Sequence, residues 1–143
     1  MRLTCQTYLS QEPLSPAPAN PIVPVLGPVT APGVGGLDAT SNVTAPVGLQ
    51  PVISWAQPNL GTATHYVVAI VEVENAAGPY EILSAVVLGS LSFKIPPGFL
   101  KAGYTYFARV TANNAPWVVL DGNPLATGAP TFSVDRVTGT FTP

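Results

Sequence analysis

The stretch "LKAGYTYFARVTA", Leu100 to Ala112, decides how the rest of the chain is read. From Tyr106 on, it sets Tyr106, Ala108, Val110 and Ala112 against Phe107, Arg109 and Thr111, the two-residue period of a strand with one face buried. Working outward, "LSFKI" (Leu91 to Ile95) turns Leu91, Phe93 and Ile95 inward and Ser92 and Lys94 outward. "HYVVAIVEVE" (His65 to Glu74) puts Tyr66, Val68 and Ile70 on one face, and "PVISW" puts Pro51, Ile53 and Trp55 on one face. "YEILSAVVL" (Tyr80 to Leu88) and "TFSVDRVTGTF" (Thr131 to Phe141) complete the set. No segment carries the 3.6-residue period of an amphipathic helix. Short strands separated by Gly, Pro and Asn clusters predict an all-β sandwich or barrel.

These residues resemble a fibronectin type III domain. Such a domain carries a Trp on its second strand, a Tyr on its third, and a Leu, Gly, Tyr turn ahead of its sixth. Trp55, Tyr66 and the set Leu100, Gly103, Tyr106, Val110 and Ala112 occupy the matching positions here. The resemblance covers roughly Ala45 to Pro143 and implies a seven-stranded sandwich with Trp55, Tyr66, Phe93, Ile95, Tyr106 and Val110 in its core. The turn has a physical logic, in which glycine takes a backbone conformation closed to other residues and the tyrosine returns its hydroxyl to the backbone. Ala102 stands where the family usually has proline, a change that only loosens the turn. "NNAPWVVLDGNPLATGAP", between the sixth and seventh strands, is much longer than a usual hairpin loop of about 2 to 5 residues. Arg-Gly-Asp is absent, so integrin binding by that route is not supported.

Residues 1–44 read as an extended Pro/Gly-rich N-terminal arm and linker, and 45–143 as the sandwich. Seven prolines fall between Gln11 and Gly33, which removes backbone donors and favours extended conformation. Ile22, Val23, Val25, Leu26 and Val29 lie among them, and a freely solvated linker has little use for such residues. The arm from Ser10 to Pro32 is therefore expected to dock, on its own domain or on a neighbouring chain, with Ile22 and Val25 as contact residues. "PGVGG" (Pro32 to Gly36) reads as a flexible hinge, since no strand or helix flanks it to make a phosphate cradle.

Composition narrows the function. Of 143 residues, 47% are hydrophobic and 8% charged, well under the roughly 25% charged of ordinary soluble domains, so much of the surface is uncharged. A net charge of −2 with five scattered Lys and Arg supplies no basic stripe for nucleic acid. No apolar run reaches the roughly 18 to 20 residues of a membrane span. The segment "MRLTCQTYLS" lacks the apolar core of a secretory signal, so either a signal was removed or none was used. Cys5 is the one cysteine and cannot form an intrachain disulfide. It reads as an incidental thiol, with intermolecular pairing or lipid attachment as the alternatives.

Catalytic and metal-binding patterns are absent from the sequence. The one histidine, His65, and Cys5 lie in segments of different kinds and form no nucleophile and base pair; His65 reads as a strand-end residue. Glu72, Glu74 and Glu81 read as the solvated end of a strand rather than a cation site. "NVT" (Asn42 to Thr44) matches the glycosylation sequon, which matters only in a glycosylating host. No enzyme activity and no cofactor are expected.

The third strand is apolar on both faces, because Val67, Ala69, Val71 and Val73 alternate with the inward set, and Phe107 is expected beside them. Such a face predicts a covered surface, against the plainer reading of an ordinary exposed sheet. The expected function is a non-catalytic structural or interaction module, a subunit or spacer of an extracellular, cell-surface or virion assembly. Its partners are proteins, including other copies of itself. The partner-binding residues are Val67, Val71, Val73, Phe107, Trp117, Ile22 and Val25. The competing reading is a carbohydrate-binding accessory module of a secreted enzyme, with Trp117 in the long loop as the stacking surface. A hydrophobic tip folded onto the sandwich is the plainer account of that loop.

Overall fold

The computed structural model describes residues 8–11, 23–73, 78–115 and 131–143. Its strands are β1 (Tyr8–Gln11), β2 (Thr30–Val34), β3 (Leu37–Asp38), β4 (Val52–Ala56), β5 (His65–Glu72), β6 (Tyr80–Val87), β7 (Ser92–Lys94), β8 (Tyr106–Asn114) and β9 (Thr131–Val137). From β2 onward the strands form two antiparallel sheets of four, β9-β8-β5-β6 and β3-β2-β4-β7, and β1 adds to the first as a fifth strand beside β9. The chain is thus all-β and sandwich-like. The expected strand count of seven is exceeded, and the described residues contain no helix long and apolar enough to cross a membrane.

The inward faces follow the alternation. Ile53 and Trp55 on β4 meet Tyr66, Val68 and Ile70 on β5 and Tyr106, Ala108, Val110 and Ala112 on β8, all buried in one core. The Trp55 and Tyr66 rings pack edge to face, with centroids 5.3 Å apart, a geometry favoured by the ring quadrupoles. Removing each such side chain from water stabilises the fold by roughly 1.5–3 kcal/mol. "LSFKI" departs from its pattern. Ile95 is buried and Phe93 half-buried, but Leu91, just ahead of the three-residue β7, is 37% exposed, while its carbonyl oxygen accepts the backbone N–H of Trp55.

The sandwich begins earlier than Ala45. Leu26, Val29, Val34, Ala39 and Val43 all lie in the core, and β2 pairs with both β3 and β4. Proline hides this strand from a pattern reading, yet Pro32 is accommodated where the β2 and β4 register shifts between Thr30 and Gly33, the kind of irregularity that spares a proline its ladder bond. Its carbonyl still accepts the Ala39 N–H at 2.9 Å. The expected hinge is instead a tight turn. Gly35 and Gly36 join β2 to β3 with φ of 60° and 82°, the paired positive values that a two-residue hairpin of this hand requires.

The C-terminal tail closes the molecule. Phe141 is buried and exchanges both backbone bonds with Tyr106, while Val43 and Val47 donate to Thr140 and Thr142. Gly139 runs so close to Ser41 that a Cβ there would overlap the Ser41 carbonyl.

Candidate interaction surface

Register fixes the outer face of the first sheet. Residues directly paired across strands share a face, so three rows can be traced from β9 or β8 to β6. The first runs Asp135, Thr111, Val67, Val86; the second Val137, Arg109, Ala69, Ser84; the third Phe107, Val71, Glu81. The apolar residues of β5 therefore do stand beside Phe107, as the sequence predicts.

The face carries its own partial cover. Arg109 on β8 reaches across β5 to Glu81 on β6, with Nη2 and Oε2 3.0 Å apart. The residues between these two strands are Ala69, 1% exposed, and Val71, 8% exposed. The bridging side chains and Phe107 thus shield the middle of β5, since long charged side chains lay their aliphatic stems along apolar surface. Val67, Val73 and Phe107 are half-buried, Val137 likewise, and Val86 is exposed. In the first row, Thr111 Oγ1 donates to Asp135 Oδ1 at 2.6 Å. Val25 lies away from this sheet, in the segment that meets Leu60 and Gly61, and is 41% exposed. Ile22 and Trp117 fall outside the described residues, as do residues 1–7 and 12–22 of the arm.

The turn ahead of β8 has the expected form. Gly103 has φ of 84°, Leu100 is buried, and the Tyr106 hydroxyl accepts the Lys101 N–H at 3.0 Å. That hydroxyl also reaches Glu72 Oε2, 3.4 Å away. Burial first, and then the Glu72 charge, hold the Tyr106 pKa above its ordinary value against the opposing pull of the Lys101 N–H. Glu72 is 3% exposed and faces inward, which corrects the expectation of a solvated strand end. The signal was present in the inward period Tyr66, Val68, Ile70, which lands next on Glu72. Glu81, by contrast, is exposed, and Glu74 lies outside the described residues.

Two other singled-out residues have plain roles. His65 opens β5 in a buried position, its Nδ1 3.2 Å from Thr64 Oγ1, and burial lowers its pKa. Asn42 is exposed, and its side-chain oxygen accepts the Thr140 N–H at 3.1 Å. A cavity of about 250 Å³ opens on the other sheet beside Pro32, Gly33 and Ser54. The carboxylate at its rim, Asp38, accepts bonds from the Thr40 N–H and hydroxyl.

No protein-family model matches this sequence, and no significant match is found among the curated proteins.

Proposed function

We propose that this chain is a non-catalytic interaction module of the fibronectin type III kind, a subunit or spacer of an extracellular, cell-surface or virion assembly. Three features support the family reading. Trp55 and Tyr66 meet edge to face on β4 and β5, and Tyr106 caps the turn ahead of β8 with its hydroxyl. Without β1 and the two-residue β3, seven strands remain, β2, β4 and β7 in one sheet and β6, β5, β8 and β9 in the other.

The observation that carries the functional reading is the outer face of β5 and its neighbours. Its charges are gathered into the Arg109–Glu81 pair and Asp135, and Asp135 accepts the Thr111 hydroxyl. Val67, Val86, Val137 and Phe107 stand on the same face beside them. A surface with few unengaged charges loses little solvation when another protein covers it. In its assembled form the module binds its neighbours through this face.

Val67→Lys with Phe107→Lys tests the reading, because both residues are half-buried at the margin. The doubly substituted chain should keep its circular dichroism spectrum and lose self-association in sedimentation experiments. Association unchanged from the parent chain would refute the assignment of this face.

A further inference from the structure

Among the described residues, β6 is the one long strand at a sheet edge. It has eight residues, whereas the other edge strands β1, β3 and β7 have four, two and three. Shortness is one device that keeps an edge from recruiting another chain; lysine and proline are others, and Tyr80–Val87 contains neither. Its one charge, Glu81, is held by Arg109. The register shift opposite Ile70 and Val71 leaves Leu83 to Val87 as the regular part of the strand.

Register shows which backbone groups the open side presents. The Val73 N–H donates to the Thr105 carbonyl, continuing the ladder in which Glu72 is opposite Tyr106. Backbone groups alternate from side to side along an antiparallel strand, so the odd-numbered residues of β5 bond to β8, and Tyr66, Val68 and Ile70 bond to β6. Their partners Val87, Ala85 and Leu83 therefore turn their N–H and C=O groups towards β5. Ser84 and Val86, both exposed, turn theirs away. Nothing among the described residues bonds to these outward groups.

The strand is complementary to itself. In an antiparallel pair centred on Ala85, Ser84 of each copy lies opposite Val86 of the other, so each outward N–H of these residues meets an outward C=O. Leu83 then faces Val87 on the inner side, and the small Ala85 side chains meet at the axis, where opposed residues approach most closely. The two Glu81 carboxylates fall at opposite ends of the pairing, so no like charges are opposed.

We propose that β6 is a pairing edge between two copies of this chain, joining their first sheets antiparallel through Ser84 and Val86. Backbone bonds that replace bonds to water gain little net free energy, too little alone to offset the freedom lost on association. Pairing therefore rests on the outer-face reading above: it joins two outer faces, each with its Val86, into one surface, and contacts on that surface hold the edges together.

Cross-linking tests the pairing in the full chain carrying Cys5→Ser. Centring on Ala85 brings the two Ala85 Cα atoms to about 4.5 Å, within the span of a disulfide. On oxidation Ala85→Cys should give a reducible dimer whose yield rises with protein concentration, while Glu81→Cys, away from the axis, should stay monomeric. No dimer from Ala85→Cys, or equal yields from the two variants, overturns the proposal. Ser84→Pro removes an outward N–H without touching the ladder to β5. It should weaken self-association in sedimentation by about tenfold with the circular dichroism spectrum unchanged, and association equal to the parent's counts against the edge. The Val67→Lys, Phe107→Lys chain separates the two surfaces. An Ala85→Cys cross-link that survives the lysines supports the edge and counts against the outer face, whereas association sensitive to the lysines without any cross-link keeps the outer face and overturns the edge.

Discussion

The Tyr106 hydroxyl accepts the Lys101 N–H at 3.0 Å, although the tyrosine ring is completely buried and its backbone is already paired with Phe141. One side chain therefore ties the turn ahead of β8 to the floor of the core. Tyr106→Phe keeps the ring and removes only the hydroxyl, leaving the Lys101 N–H and the buried Glu72 carboxylate without that partner. The expected loss is about 1–3 kcal/mol in urea unfolding. Tyr106→Ala, which also empties the ring's site, should cost about 3–5 kcal/mol. A phenylalanine variant as stable as the parent would show that Tyr106 contributes only the packing of its ring.

Gly103 and Gly61 separate two reasons for glycine. Both have positive φ, 84° and 71°, but a Cβ at Gly103 meets nothing within 4 Å whereas one at Gly61 runs into the Val25 carbonyl oxygen. Gly103→Ala should therefore cost only the conformational term, about 1–2 kcal/mol. Gly61→Ala adds a backbone clash and should cost distinctly more. Chemical denaturation of the two variants side by side checks the order.

Much of this architecture was legible in the sequence, and the failures have physical causes. β4 and β8 were readable because each buries one face and so alternates, and β5 because it is a nearly unbroken β-branched run. β2 was not, because Pro32 and two glycines look like a breaker until a register shift gives the proline a place to sit. The Arg109–Glu81 bridge was beyond reach for a different reason. It joins residues 28 apart in sequence, and only the pairing of β5 with both β6 and β8 brings them together. Alternation shows which residues share a face of one strand; it does not show which strand lies alongside. Glu72 was readable in principle, but its charge outweighed its position in the inward period.

His65 makes stability depend on pH. Burial lowers its pKa in the folded chain below the 6.5 of a free imidazole, so over the interval between the two values the unfolded chain binds more protons. Its contribution is fully present above about pH 6.5 and is lost as the pH falls through the lower, folded-state value. Urea midpoints of the parent should therefore drop from about pH 7 towards about pH 5, and His65→Gln should flatten that part of the profile. Superimposable profiles for the two proteins would remove His65 from the account.

The claim that the outer face of β5 and its neighbours is the binding surface is tested most directly by methyl NMR on the intact chain over a concentration series. Val67, Val86 and Val137 lie on that face, while Val34, Val68 and Val110 lie in the core. Association through the face predicts that the first group shifts together as concentration rises while the second stays fixed. Concentration-dependent shifts that spare Val67, Val86 and Val137 and gather elsewhere would contradict it.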